Sequence, residues 1–331
     1  MSTMTYLAAI GRAQGEVMEE DPRVVILGED LRSNLYGTAP DFVARFGAER
    51  VWDTPLSEAG FSGMAAGAAM TGLRPIVDLT YSTFMYLTLD QLINQVAKNR
   101  YMFGGQAMIP VTYRSSMFYG SSMAAHHSDR PYPMLMNVPG LTIVAPATPY
   151  DACGLLKSAV RCDDPVLVFE DATLWFGKQD LPDEPFDVPL GVAEVVSEGS
   201  DVTLVAISGS RQHAVTACRQ LAEEDGISVE LIDPRTLVPL DTQAIIDSIR
   251  RTRRLVVVEP ANRTCGAAAE IIALACEHAF DVLAAAPVRI NTPDVQIPFS
   301  PPMEKPLYPD AERITAAVRA VAGVPAGSGG R

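Results

Sequence analysis

The chain lacks the signatures by which nucleotide enzymes and simple hydrolases are usually read. No GxGxxG follows a strand, no GxxxxGKS or GxxxxGKT occurs, and no GxSxG elbow is present. These absences argue against dinucleotide binding, P-loop phosphate binding and α/β-hydrolase chemistry. The five cysteines, Cys153, Cys162, Cys218, Cys265 and Cys276, are scattered and form no CxxC pair, so neither a disulfide framework nor a zinc site is expected. No apolar run approaches the roughly 18 residues that cross a bilayer, and the first residues lack the basic, apolar, small succession of a secretory signal. A cytoplasmic protein is the expectation. Positive charge is scarce as well: 26 basic residues stand against 40 acidic ones, a formal net charge of -14. That balance argues against nucleic acid and anionic membrane surfaces as partners, since both are polyanions.

What is present is apolar. With 331 residues and 48% hydrophobic composition, two domains can each bury a core. A helical face over residues 5–19 precedes the apolar run Val24 to Leu27. A short helix near Asp41–Phe46 follows, then a helix beginning at Glu58, a strand Pro75–Leu79, and a long amphipathic helix from about Ser82 to Met102. A strand at Ile109–Tyr113 opens into a polar loop, Ser115 to Pro133, that holds His126 and His127; loops this long are more often functional than idle. Strands at Leu141–Val144 and Val166–Phe169 flank a helix at Tyr150–Val160. Apolar runs alternating with helices predict an α/β fold, with parallel sheets covered on both faces. The stretch 176–191 is acidic, proline-rich and aperiodic, and reads as a linker between a domain at 1–175 and a second doubly wound domain at 192–323. Residues 324–331 read as a disordered tail.

One stretch organises the rest: Asp53 to Phe84, DTPLSEAGFSGMAAGAAMTGLRPIVDLTYSTF. Gly60, Gly63 and Gly67 each cost a helix about 1 kcal/mol relative to alanine, so the close approach of another backbone is the expected reason for them. With one carboxylate, Glu58, in the first helical turn and one aromatic, Phe84, after the next strand, the stretch reads as a cofactor site on a subunit interface.

DPRVVILGED, the Asp53–Ile76 segment, LDQLINQVAK, HHSDRPYPM and LIDPRTLVPLD together resemble the beta subunit of the decarboxylating component of 2-oxo acid dehydrogenase complexes, the pyruvate, branched-chain and acetoin enzymes. The likeness runs in order over about residues 4–322. It implies a transketolase-like pyrimidine-binding domain followed by a transketolase C-terminal-type domain, thiamine diphosphate as cofactor, and magnesium held mainly by an alpha subunit through a GDG motif and a later Asn. No GDG occurs in this chain, so it would hold half a site.

The resemblance assigns Glu58 to the ring nitrogen of the aminopyrimidine, where a carboxyl proton supports the imino form of the cofactor. Helix N-terminal placement favoured by the macrodipole is the plainer reading of that residue. Phe84 corresponds to the aromatic that stacks on the pyrimidine, against an ordinary core phenylalanine. His127 matches the histidine that stabilises charge and assists transfer to the lipoyl group, against a solvated loop histidine. Glu29 and Leu56 would also touch the cofactor, a solvated strand-end carboxylate being the other reading of Glu29.

A structural potassium site would lie near Ala159, Val160 and Cys162, with Cys162 standing where the family has aspartate. Where the family reads HSQS, this chain has HSDRPYP, which puts Arg130 within reach of an anionic substrate or, alternatively, of Asp129. The expected assembly is an α2β2 heterotetramer acting on a 2-oxo acid and a lipoyl-bearing acyltransferase or carrier protein. Two rivals stand: a transketolase-like transfer of a two-carbon unit from a ketose phosphate, and a non-catalytic scaffold subunit.

Overall fold

Every residue of Val24–Gly28 is buried, as in a parallel strand covered on both faces and unlike a strand with one wet side. In the computed structural model, which describes residues 1–324, this strand lies in the first of two units, Met1–Leu190 and the chain from Gly191 onward. The strands of the first unit are β1 (Ser2–Thr5), β2 (Val24–Gly28), β3 (Val51–Asp53), β4 (Arg74–Tyr81), β5 (Thr112–Met117), β6 (Thr142–Val144), β7 (Val166–Asp171) and β8 (Lys178–Leu181). Here β6, β7, β5, β4, β2 and β3 lie side by side in that order, all parallel.

The helix Tyr6–Glu20 buries Tyr6, Ile10 and Val17 against Ile26, Ile76 and Val168 of the sheet and Leu155 of the helix Pro149–Arg161. Each such side chain contributes about 1.5–3 kcal/mol by leaving water. Both helices start on threonine caps: Thr5 Oγ1 accepts from Ala8 N at 3.2 Å and Thr148 Oγ1 from Asp151 N at 3.0 Å. A cap of this kind is worth about 1 kcal/mol.

Three segments depart from the sequence-based expectation. The long helix over residues 82–102 is broken into a 3₁₀ stretch (Ser82–Thr88), a π-wound stretch (Gln91–Val96) and one α-turn (Asn99–Met102). Such irregular winding often marks functional segments. The strand expected at 109–113 begins at Thr112 and runs to Met117, which shortens the loop after it. The acidic stretch read as a linker belongs to the first unit: β8 pairs antiparallel with β1, and Leu181 and Val188 are buried in its core. Gly154 makes room for it, since a Cβ there would lie 2.4 Å from Val188 Cγ2.

The second unit contains β9 (Glu194–Ser197), β10 (Val202–Ala206), β11 (Val229–Asp233), β12 (Thr236–Val238), β13 (Leu255–Asn262) and β14 (Val288–Thr292). Its sheet has the order β14-β13-β10-β11-β9, parallel except for β9. The helices Ser210–Asp225 and Ala311–Ala322 place Ala214, Leu221, Ile314 and Val318 on Leu204 and Val256. Val324 N donates to Arg319 O at 3.0 Å; the rest of the expected disordered tail lies outside the described residues. Among the described residues no helix is long and apolar enough to cross a membrane.

Candidate functional site

Four of the residues singled out in the sequence follow the carboxyl ends of four neighbouring parallel strands. Glu29 follows β2, Glu58 comes after β3, Phe84 after β4 and His127 after β5. In open α/β sheets ligands bind in the crevice outside these strand ends.

Glu29 is brought there by Gly28, where a Cβ would sit 2.5 Å from the Asp78 carbonyl oxygen, so only glycine lets β2 and β4 approach so closely. Glu29 Oε1 is shut off from solvent and has no hydrogen-bond partner among the described residues. Its pKa is pushed up to about 7, first by loss of hydration and then by the Glu58 charge. Glu58 is the first residue of the helix Glu58–Met70, 9% exposed, with no donor on its carboxylate among the described residues. Carboxylate oxygens shut off from solvent are ordinarily hydrogen-bonded, so the orphaned Glu29 oxygen with the Glu58 carboxylate near it marks a place where donors are meant to arrive. Beside them, Trp52, Pro55, Phe61 and Met64 line a cavity of about 490 Å³.

The aromatic side of the site is built by the end of β4. Thr80 takes a left-handed φ of 57° and the ladder with β5 slips between Asp78 and Tyr81. This local irregularity re-aims the chain into the 3₁₀ stretch that carries Phe84. Tyr81 touches Phe84 at 5.1 Å and stacks on His127 at 4.4 Å and 29°, while Phe84 meets His127 edge-on at 5.6 Å. His127 Nδ1 lies 2.9 Å from the His126 carbonyl oxygen. A carbonyl only accepts, so Nδ1 carries the proton, and in the neutral ring Nε2 keeps its lone pair. The loop is tied to the Phe84 stretch twice: Ser82 Oγ donates to the Asp129 carbonyl at 2.7 Å and Tyr86 Oη to the Asp129 carboxylate at 3.0 Å.

Beneath these strand ends lies a buried ionic network. Arg114 donates to Glu170 at 2.7 and 2.9 Å and also to Asp78, whose other oxygen accepts from Thr80 N at 2.9 Å. The network thus fixes the irregular Thr80. Removing Arg114 would strand two buried carboxylates, at a cost of about 3–5 kcal/mol. Sequence reading did not single out Tyr81, Asp78 or Arg114; the only local signal was a charged residue in the middle of each of two strands, Asp78 in RPIVDLTY and Arg114 in TYRSSM.

Other expectations fare differently. Leu56 is 83% exposed and covers nothing within this chain. Arg130 is 5% exposed, donates to the Ser128 carbonyl and lies over the Tyr119 ring at 5.5 Å, contacts of the kind the loop-ordering alternative expects. Asp129 is engaged by Tyr86. The carbonyls near the expected potassium site already face a cation, since Arg74 Nη1 donates to Val160 O at 3.0 Å and Cys162 O at 3.1 Å. Ala159 is buried in the core. Among the described residues only part of the glycine face is open: a Cβ at Gly67 would meet no atom within 4 Å, whereas one at Gly63 would meet Gln91 Cγ at 3.5 Å, and Met64 and Met70 are 48% and 36% exposed.

Comparison with known proteins gives this geometry a family. A model described as the transketolase pyrimidine binding domain matches residues 2–175, and one described as the transketolase C-terminal domain matches residues 191–314. The chain is 41% identical over 332 residues to the acetoin:2,6-dichlorophenolindophenol oxidoreductase subunit beta of Bacillus subtilis (strain 168), covering 96% of this chain and 97% of that one. It is 39% identical over 323 residues to the pyruvate dehydrogenase E1 component subunit beta of Gracilaria tenuistipitata var. liui, covering 97% and 100%. With the 2-oxoisovalerate dehydrogenase subunit beta of Bacillus subtilis (strain 168) it shares 37% identity over 326 residues, covering 97% and 99%. A solved split gene transketolase, an inactive beta4 tetramer, superposes with a TM-score of 0.79 at 22% identity over 97% of this chain and 99% of that one, a likeness of fold. The chain belongs to the family of 2-oxo acid dehydrogenase E1 beta subunits, built from a transketolase-type pyrimidine-binding domain and a transketolase-type C-terminal domain.

Proposed function

We propose that this chain is the beta subunit of a thiamine diphosphate-dependent 2-oxo acid dehydrogenase, which decarboxylates a 2-oxo acid oxidatively and passes the acyl group to a lipoyl carrier. The observation that carries the reading is the convergence of Glu29, Glu58, Phe84 and His127 on four adjacent parallel strand ends. An aminopyrimidine suits this donor-poor pocket: it brings N–H groups to the unpaired Glu29 Oε1 and Glu58 carboxylate, and a flat ring to the half-buried Phe84. When bound, thiamine diphosphate supplies a nucleophilic carbon and a cationic ring that takes up the electron pair left by decarboxylation.

Glu58 then holds the ring nitrogen and exchanges a proton with it through a carboxyl oxygen. Phe84 supports the ring face. Glu29 accepts from the same ring system, and Leu56, exposed here, covers its edge. His127, with Nδ1 committed to the His126 carbonyl, offers Nε2 to the substrate or to the arriving lipoyl group. An alpha subunit bearing the GDG motif would hold the diphosphate and magnesium, with the helix face of Gly60, Met64 and Met70, exposed in this chain, as its seat or that of a second beta subunit in an α2β2 assembly. A lipoyl-bearing acyltransferase or carrier protein is the acyl acceptor, and the cytoplasm the compartment. The ketose-phosphate alternative relies on Arg130 to read phosphate, and the contacts of that side chain with the Ser128 carbonyl and the Tyr119 ring favour the dehydrogenase reading instead.

The test is Glu58→Gln in the pair reconstituted with its alpha subunit. Assembly should persist, while turnover of the cofactor-loaded enzyme should fall about 100- to 10,000-fold, the usual span for a general acid–base group. Turnover within about threefold of the parent would remove Glu58 from this role.

A further inference from the structure

In a chain of net charge -14, three arginines converge on one cavity of about 470 Å³ in the second unit. Arg263 follows β13, Arg289 lies on β14 and Arg313 on the helix Ala311–Ala322, so three elements deliver them. Other arginines nearby have carboxylate partners: Arg319, on the same helix as Arg313, pairs with Glu224 and Asp225, and Arg211 with Glu194 and Asp233. Among the described residues, none of the three cavity arginines forms an ion pair with a carboxylate.

Backbone carbonyls hold them instead. Arg263 Nη1 donates to the Arg289 carbonyl at 3.4 Å, and Arg289 Nη1 to the Arg263 carbonyl at 3.0 Å. Arg313 Nη1 reaches the Tyr308 carbonyl at 3.0 Å and its Nη2 the Asn291 carbonyl at 3.1 Å. Asp294, the acid adjoining Arg263, has its two oxygens on Thr264 N at 3.1 Å and Thr264 Oγ1 at 2.6 Å. Carbonyl partners orient a guanidinium without neutralising it, so like charges stay gathered and repel one another. An anion arriving there meets donors already aimed.

We propose that this cavity binds a small phosphate-bearing molecule. Each guanidinium presents five N–H donors in a planar fork, which matches phosphate oxygens bidentately. One carboxylate is satisfied by one such fork, whereas a phosphate offers three terminal oxygens in a tetrahedral array, enough to engage three arginines from three directions. The volume lies within the usual range for small-ligand pockets, and Ile290, Pro293 and Pro306 give apolar walls for the body of an ester.

Pyrophosphate titrated calorimetrically into the full chain, at ionic strength fixed with chloride, provides the test. One pyrophosphate should bind per chain with a Kd at or below about 1 mM. Arg263→Gln, a change at an exposed position, and Arg289→Gln should each weaken it about tenfold or more, with circular dichroism unchanged for Arg263→Gln. Arg250→Gln, exposed on the helix Thr242–Thr252, should leave it unaltered. The proposal is overturned by absence of binding at about 10 mM pyrophosphate, by either cavity variant binding as tightly as the parent, or by citrate binding as tightly as pyrophosphate.

Discussion

Two buried glutamates lie close to the start of a helix in this chain, Glu58 on the helix itself and Glu259 on the strand β13 that precedes one, and their surroundings differ completely. In the second unit Glu259 is fully buried, and its carboxylate takes hydrogen bonds from Ala267 N at 3.2 Å, Ala268 N at 2.8 Å and Asn291 Nδ2 at 2.8 Å, capping the helix Ala267–Ala279. Gly266 is required beside it, since a Cβ there would lie 2.2 Å from Glu259 Oε1. In the first unit Glu58 opens the helix Glu58–Met70 with its carboxylate unpaired among the described residues, next to Glu29 with an orphaned oxygen. A satisfied carboxylate stabilises a fold; one that is desolvated without donors costs folding energy and is kept where a ligand completes it. Nearness to a helix N-terminus therefore says little about role, and the donor inventory says a great deal.

Swapping the perturbation between the two glutamates sharpens this contrast most. Glu58→Gln should abolish most turnover in the reconstituted pair, by the factor given above, with the melting temperature unchanged or raised. Glu259→Gln should behave in the opposite way: turnover per folded enzyme stays at the parent value, while urea denaturation shows a loss of about 1–3 kcal/mol from a buried charged hydrogen-bond set left incomplete. Equal effects of both substitutions on turnover would erase the distinction.

A smaller effect is expected at the tether between loop and aromatic stretch. Tyr86→Phe removes the donor to Asp129 while keeping the ring, and should lower kcat by up to about tenfold, the worth of one partly exposed hydrogen bond. Cofactor affinity should remain at the parent value. An unchanged kcat would show that the loop holding His127 needs no anchor there.

How much of this was legible beforehand depended on how local the determinant is. The buried parallel strands announced themselves as apolar runs, as in Val24–Gly28 and Val202–Ala206, because both faces of such strands leave water. The pairing of β1 with β8 did not, since Lys178–Leu181 reads KQDL and its partner lies more than 170 residues away in the chain. The stretch over 82–102 has helical periodicity, yet its winding is dictated by the turn at Thr80 and the packing of Phe84, which no local pattern encodes. Glu58 and His127 were reachable through motif resemblance. Arg130 stayed open between anion recognition and loop ordering because a charged residue in a polar loop gives no sign of whether it folds back; here it lies over Tyr119.

The smallest expected effect is a pH dependence of stability set by Glu29. Burial and the Glu58 charge raise Glu29 from the usual 4.5 to about 7. The folded chain therefore binds more protons than the unfolded one between those values, so its stability is fullest below the lower value and falls as pH rises through the upper one. Thermal melts from pH 5 to 8 should show this decline, and Glu29→Gln should flatten it. A parent curve that rises over the same window would contradict the raised Glu29 pKa.

The central claim is that the strand-end site is half of a cofactor site, unpaired because its other half lies on another chain. Calorimetry of thiamine diphosphate with magnesium measures this directly, run on the chain alone and on the chain co-purified with an alpha subunit that carries the GDG motif. No binding to the chain alone and micromolar binding to the pair is the predicted result. Micromolar binding to the isolated chain, or none to the assembled pair, would contradict it.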